Sequence, residues 1–320
     1  MAVYTQISAK ELESFVTGFN IGNVISCEGI PQGIENSNFI LNTTLGKFVL
    51  TLYEKRVNIR DLPFFLGLIH YLADFGFPCP RPISNRAGQY LHSLAGRPAA
   101  LISFAIGDSL ENPSVSNCRQ MGLAAARLHS SAKDFKMSRK NDQCLPVWRK
   151  SFETLQDRAD DIRPGFAQWI EDELAALENF YPRSLPMGII HGDLFPDNVF
   201  FKNGSVSAVI DFYFACNDAY AFDLAICLNA WCFDDSGGLD KSLSEALFDG
   251  YQSVRPLAQN ELEALPLLAR GAAMRFLITR LHDWFNATDG ILIQKKDPLA
   301  FVPIIEFHRK TNDSIAYGIG

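Results

Sequence analysis

From residue 191 the chain reads His191-Gly192-Asp193-Leu194-Phe195-Pro196-Asp197-Asn198, and a short stretch further on ends in Ile210-Asp211. An aspartate able to accept a hydroxyl proton, an asparagine five residues later and a second aspartate beyond a tight turn are the polar groups that phosphoryl transfer requires. The first would take the proton of an attacking hydroxyl, and the other two are hard oxygen ligands suited to Mg²⁺. The spacing works only if the two ligands meet. Val199, Phe200 and Phe201 read as a strand, Asn203-Gly204 signals a type I′ turn, and Val206 to Ile210 return as a buried strand. Such a hairpin brings Asn198 and Asp211 to one open end. His-Gly-Asp alone would serve equally as a turn. Three polar positions, a hairpin and a following acid, Asp223, on a helical stretch agree on the chemistry instead.

Groups for the rest of a nucleotide lie upstream. In Gly29-Ile-Pro-Gln-Gly33-Ile-Glu-Asn36-Ser37-Asn38, Gly29 and Gly33 let backbone N–H groups approach phosphate, and Asn36 and Ser37 add donors. A plain hairpin loop would use the same residue types. A third strand should present a lysine to the phosphates. Thr51 stands at that place, with Lys55 and Arg56 just beyond the strand, either reaching back to phosphate or solvated at a strand end. Glu54 and Asp61 are the candidate acids to pair with such a cation. The run from Leu101 through Phe104 to Ile106 offers backbone hydrogen bonds and an apolar wall to adenine.

The elements that must position these groups follow from periodicity. Ser8 to Glu11 is a capping box before a helix carrying Leu12, Phe15, Val16 and Phe19 on one face. Strands are expected over 23–27, 38–42 and 47–53, a helix over 60–75, and further strands over 89–93 and 98–106. Helices then dominate: 114–131, 147–159 and 166–180, the hairpin, and afterwards 221–232, 239–251 and 261–284. This order predicts an α+β, bilobal fold: residues 1–106 form a small antiparallel β-rich, nucleotide-binding lobe with its hinge, and 107–320 a large, mainly helical catalytic and substrate lobe.

Composition sets the outer bounds. With 320 residues, 48% of them hydrophobic, the chain can bury two substantial cores. A net charge of −7 without a basic run disfavours nucleic acid and anionic membrane as partners and favours a small molecule. No leader-like start or bilayer-length apolar run is present, so a cytoplasmic location is expected. The seven cysteines are scattered without a Cys-x-x-Cys pair, as expected of reduced, buried thiols. His70, His92, His282 and His308 read as structural or surface groups.

With the loop, the hairpin aspartate and the lobe order established, the chain resembles the aminoglycoside phosphotransferase and choline kinase superfamily over essentially its whole length. The 29–38 segment, Asp61-Leu-Pro-Phe-Phe65, His191 through Val199, Ile210 through Tyr213 and Arg275 through Leu281 are similar to the bacterial homoserine kinases within it. The resemblance implies a protein-kinase-like fold, ATP and Mg²⁺ as cofactors, and L-homoserine as the acceptor. It implies Asp193 as base, Asn198 and Asp211 as metal ligands, His191 as support, Asp223 as a buried acid steadying the loop, and His129 as structural. Thr51 departs from the pattern. The remaining readings are a kinase of another small alcohol (an aminoglycoside, choline or ethanolamine, methylthioribose) and a catalytically silent nucleotide-binding module. Homoserine carries a carboxylate and an ammonium, for which Arg275, Arg280 and Asp283 are candidates; the competing reading is salt bridges on a helix face.

Overall fold

The computed structural model describes residues 4–31, 36–54, 57–182, 184–286 and 296–319, so Gly33, Lys55 and Arg56 lie outside the described residues. The first part of the chain runs α1 (Ala9–Val16), β1 (Val24–Gly29), β2 (Asn36–Thr43), β3 (Gly46–Tyr53), α2 (Leu62–Asp74), β4 (His92–Leu94) and β5 (Arg97–Ser103). The strands pair antiparallel in one five-stranded sheet, ordered β1-β2-β3-β5-β4. At the start of α1, the Ser8 side chain accepts from Glu11 N–H while Glu11 accepts from Ser8 N–H, the expected capping box.

Period-two alternation sorts the sheet into two faces. Phe39, Leu41, Leu50, Leu52, Ala99 and Leu101 meet Leu12, Val16 and Phe19 in a separate small core. Tyr53 and Ala100 belong to the opposite face and join α2 in the core that continues through the helical part of the chain. Thr51, between Leu50 and Leu52 and paired with Ala100, shares that second face. This face of the third strand therefore meets the core shared with the helical part.

The second part comprises α3 (Val115–Ser131), α4 (Leu145–Glu153), α5 (Gln156–Ala159), α6 (Phe166–Phe180), β6 (Met187–Ile190), β7 (Val199–Lys202), β8 (Ser205–Val209), β9 (Cys216–Ala219), α7 (Tyr220–Trp231), α8 (Lys241–Gln252), α9 (Gln259–Asn286) and α10 (Val302–Arg309). The fold is the α+β, bilobal, kinase-like one. Differences from expectation are local. Helix 147–159 is split, because Thr154 and Leu155 cap one helix and begin the next. β6 and β9 pair only with each other, 26 or more residues apart, and neither carries an alternating pattern of its own. β5 stops at Ser103, where Phe104 N–H closes a last bond to Lys47 C=O. No helix of the described residues is long and apolar enough to cross a membrane.

The hairpin β7–β8 turns at Asn203 and Gly204, both at positive φ (52° and 78°), as a type I′ turn demands. It is fastened to the first part of the chain at three places. Asp108 and Phe201 exchange backbone hydrogen bonds of 3.1 and 2.9 Å, Ser207 Oγ donates to Ile106 C=O at 2.7 Å, and Val209 N–H donates to Pro78 C=O at 2.8 Å. Gly107 makes this docking possible. Its φ is +134°, and a Cβ there would stand 2.3 Å from Ser207 Oγ and 2.8 Å from Phe201 O. Gly107→Ala is expected to destabilise the protein by about 2–4 kcal/mol in urea unfolding, strain and clash combined. Gly88→Ala, where φ is also positive but the space is open, should cost only about 1 kcal/mol. Equal costs for the two would show that the hinge packing is not tight.

Candidate active site

The loop between β6 and β7 carries the first candidate, and its shape is set by a buried acid. Asp223, in the first turn of α7 and fully buried, accepts from His191 N–H and Gly192 N–H at 2.8 Å each. Its Oδ2 also accepts from His129 Nε2 at 3.1 Å, and His129 Nδ1 meets the Tyr251 hydroxyl at 2.8 Å. Burial pushes the Asp223 carboxyl up, but the hydrogen bond and charge of His129 and the neighbouring His191 outweigh it, leaving the carboxyl below its ordinary value. His191 is also fully buried. Its Nε2 donates to Ile210 C=O at 2.9 Å and its Nδ1 accepts from Asp193 N–H at 3.2 Å, which fixes a neutral imidazole. Burial drives it the same way, to about 4.

Asp193 emerges from this loop with its carboxylate half-buried. Desolvation raises it from 3.8 to about 6, against the opposing pull of the Arg275 charge. Asn198 Nδ2 donates both to Asp193 C=O and to Asp193 Oδ2, at 2.9 Å each. Since the amide nitrogen is used inward, Asn198 Oδ1 is left as the outward oxygen. Asn198 C=O accepts from Ile210 N–H at 3.0 Å, so the Ile210 peptide is held by Asn198 on one side and His191 on the other, and Asp211 is delivered beside them. Asp211 is exposed and adopts the left-handed conformation (φ 65°, ψ 58°).

An amide oxygen and a carboxylate are the hard donors that a small divalent cation takes. No group of three or more His, Cys, Asp or Glu gathers among the described residues. Two protein ligands fit a cation that draws its remaining ligands from phosphate and water.

The structure disperses several other candidates. Ser37 is fully buried, donates to Glu54 Oε1 at 2.8 Å and accepts from Tyr4 N–H at 2.8 Å, so its hydroxyl is spent inside the sheet and not on a phosphate. Asn36 is buried too and accepts from Glu54 N–H; β2 begins at Asn36, two residues before the expected strand. Gly29 closes β1 opposite Phe39. At the hinge, the Phe104 ring lies 3.9 Å under Lys47 Nζ, its N–H is committed to Lys47, and Ile106 C=O to Ser207. Glu54 pairs with Arg97 at 3.1 Å and Asp61 with Arg139 at 2.8 Å, so each candidate acid is engaged away from β3.

On α9 the three candidates part company. Arg275 is 3% exposed, donates from Nη1 to Gly192 C=O at 2.5 Å and lies over Phe276 at 4.7 Å. Its Nε has no hydrogen-bond partner among the described residues. Burial lowers its pKa, and the nearby Asp193 charge works against that shift. Arg280 instead donates to Asp297 C=O at 3.1 Å over the Phe301 ring, and Asp283 stands 3.6 Å from His282. They lie five and eight residues along the helix from Arg275. Tyr213 and Phe214, beside Asp211 and Arg275, and Arg139, which donates to Ala215 C=O, were not singled out from the sequence, because an aromatic after an aspartate and an arginine in a loop carry no spacing signal.

Comparison with known proteins bears on what this arrangement does. The profile of the phosphotransferase enzyme family matches residues 26–257. The homoserine kinase of Methylobacterium radiotolerans is 50% identical over 318 residues, 99% of this chain and 99% of its own. That of Azorhizobium caulinodans is 49% identical over 319 residues, 100% of this chain and 99% of its own. Among solved structures, an amicoumacin kinase in complex with AMP-PNP and Ca²⁺ is similar with a TM-score of 0.68 at 13% identity, covering 95% of this chain and 92% of its own. A choline kinase from Cryptosporidium parvum gives 0.63 at 15% identity, covering 92% and 90%. Likeness at such identities establishes the fold alone. With a family profile spanning most of its length and half-identical relatives along all of it, the chain belongs to the phosphotransferase enzyme family, among its homoserine kinases.

Proposed function

We propose that this chain transfers the γ-phosphoryl group of ATP to the side-chain hydroxyl of L-homoserine, giving O-phospho-L-homoserine and ADP, with Mg²⁺ as the required cation. The observation that carries the reading is identity of about half of all positions, end to end, with curated homoserine kinases. The geometry around Asp193 supplies the chemistry.

Asp193 is the base. A carboxylate raised to about 6 is matched to neutral conditions, where it is ionised yet basic enough to accept a developing proton. One of its oxygens is fixed by Asn198, which leaves the other to take the hydrogen bond of the acceptor hydroxyl and orient it for in-line attack. The new O–P bond forms as the bond to ADP breaks, and the hydroxyl proton passes to Asp193. Asn198 Oδ1 and the Asp211 carboxylate are the residues that would hold Mg²⁺, which when bound neutralises charge on the β- and γ-phosphates. Arg275 holds the Gly192 carbonyl and places a positive charge under the loop; we assign it to positioning Asp193. The silent-module reading has Thr51 as its sole support, while Asp193, Asn198 and Asp211 are all present.

Asp193→Asn is expected to lower kcat by roughly 10²- to 10⁴-fold with little change in KM for ATP. In the wild type, kcat/KM should fall about tenfold per pH unit once the pH drops below about 6, because protonated Asp193 can no longer accept. A pH–rate profile from 4.5 to 8 checks both, and an unchanged acid limb in the Asn variant would remove Asp193 from the role.

Arg275→Lys keeps the charge but loses the planar fork. If Arg275 positions the loop, kcat should fall about 10- to 100-fold while KM for homoserine moves less than about threefold. A raised KM at unchanged kcat would place Arg275 on the substrate carboxylate instead.

Acceptor choice separates the kinase readings. In a panel with 3-amino-1-propanol, choline, methylthioribose and an aminoglycoside, L-homoserine should have the highest kcat/KM. 3-Amino-1-propanol, which lacks the carboxylate, should fall short by about 10⁴-fold, since a site built around that group is left with unpaired polar partners. Comparable turnover of any other acceptor would overturn the homoserine assignment and leave the phosphotransferase intact.

A further inference from the structure

In kinases of this general architecture, an ion pair between a lysine of the third strand and an acid of the neighbouring helix must be in place for the metal aspartate to work. This chain has Thr51 at the strand position. The acids nearest to that role are engaged elsewhere, Glu54 with Arg97 and Asp61 with Arg139. Something else has to tie β3 and α2 to the segment that carries Asp211.

That tie is visible two residues after Asp211. The Tyr213 ring enters the space between β3 and α2, edge-on to Tyr53 (centroids 5.6 Å apart, 82°) and to Phe65 (5.7 Å, 89°). Its hydroxyl donates to the Tyr53 hydroxyl at 3.3 Å, and the Thr51 side chain is a polar neighbour of the same phenol. Thr51 Oγ1 is itself oriented by Asn38 Oδ1 at 2.8 Å. So the residue in the lysine position has become part of a socket of hydroxyls on the inner face of the sheet.

Asp211 needs such a fixture because its left-handed backbone (φ 65°) persists only where the surroundings enforce it. Each of the three aromatics that follow it is held by a different partner. Phe212 lies 4.6 Å from His191, Tyr213 occupies the socket, and Phe214 lies 5.3 Å from the Arg275 guanidinium. The first and last of these partners belong to the helical part, and the Tyr213 ring meets Tyr53 of the sheet. Arg139 reinforces the same join, since it links Asp61, next to α2, with Ala215 C=O at 3.2 Å.

We propose that Tyr213 is a positioning residue for the cation site. Seated against Thr51, Tyr53 and Phe65, it sets Asp211 for Mg²⁺ and performs the inter-lobe coupling otherwise made by the strand lysine and helix acid. This inference rests on the assignment of Asp211 as a metal ligand. The coupling is neutral: it passes through a ring and a hydroxyl, so salt should not weaken it as it would an exposed ion pair.

The test is calorimetric binding of AMP-PNP, once with Mg²⁺ and once with EDTA, to full-length wild type, Tyr213→Phe, Tyr213→Ala, Tyr53→Phe and Asp211→Asn. Tyr213→Phe, which keeps the ring, should weaken binding with Mg²⁺ by about 3- to 10-fold, the scale of one hydrogen bond, and leave binding in EDTA unchanged. Tyr53→Phe should do the same, and the double Phe variant should do no more than either alone. Tyr213→Ala should weaken the Mg²⁺-dependent part by about 30-fold or more as Asp211 leaves its strained conformation. KM for homoserine should stay within twofold in both Phe variants.

If Tyr213→Phe binds AMP-PNP like wild type in Mg²⁺, or loses as much in EDTA as in Mg²⁺, the coupling is refuted even should Tyr213→Ala not fold. If Asp211→Asn loses the Mg²⁺-dependent part while the tyrosine variants keep it, Asp211 remains a metal ligand and only the coupling falls. If Asp211→Asn itself keeps that part, the metal assignment fails and the coupling fails with it.

Discussion

A carboxylate that is entirely removed from water, Asp223, is the constraint on which the catalytic loop depends. Taking a charge into the interior costs several kcal/mol unless donors replace the lost solvent, and here the His191 and Gly192 backbone N–H groups and His129 Nε2 do so. The arrangement works in both directions. Asp223 stays charged because the loop donates to it, and the loop keeps its shape because any other shape leaves a buried charge unpaired. Gly192 is held at its other side by Arg275, whose guanidinium donates to its carbonyl. This one residue thus gives its N–H to a buried anion and its C=O to a buried cation. Gly192 is required there, since its φ is +79° and a Cβ would meet Phe214 O at 2.9 Å.

That rigidity underlies the chemistry proposed for Asp193. A base raised toward neutrality must lose solvent without gaining so many hydrogen bonds that its pKa drops again. Asp193 meets both conditions: desolvation dominates, a single Asn198 amide steadies one oxygen, and Arg275 limits the rise without donating to the carboxylate. His191, next but one in sequence, cannot compete as a base. Its ring is buried and both nitrogens are used to hold the Ile210 and Asp193 backbone. The same His-Gly-Asp triplet therefore divides into a fixed imidazole, a pinned peptide and a basic carboxylate.

Much of this was legible in the sequence, for identifiable reasons. The hairpin was readable because Asn203-Gly204 selects one turn geometry, and that geometry decides where Asn198 and Asp211 meet. The five-stranded sheet and the longest helices were readable from period. β6 and β9 were not, since four-residue strands with no alternation owe their existence to a partner far along the chain. The substrate and phosphate candidates were the weak point. Ser37, Arg275 and Arg280 have the right chemistry for binding anions, but residue type does not reveal whether a donor is already engaged by a neighbouring acceptor, as the Ser37 hydroxyl and Nη1 of each arginine are. Thr51 was recognised as a departure, yet its consequence appeared only once Tyr213, 162 residues further on, was seen beside it.

The two halves of the site are consequently held by different parts of the molecule. Asp193 is set by charges buried within the helical part, from α3, α7 and α9, and the hydrogen bonds of that network given above stay within that part. Asp211 begins at the same network through the Ile210 peptide, but its continuation through Tyr213 and Ala215 is bound to β3 and to the start of α2. A displacement of the sheet would therefore reach Asp211, the proposed cation ligand, before it reached Asp193, the proposed base. Such a division would suit the proposed reaction, in which the acceptor alcohol meets a preformed carboxylate while a metal-bearing nucleotide would be aligned only when sheet and helical part are correctly joined.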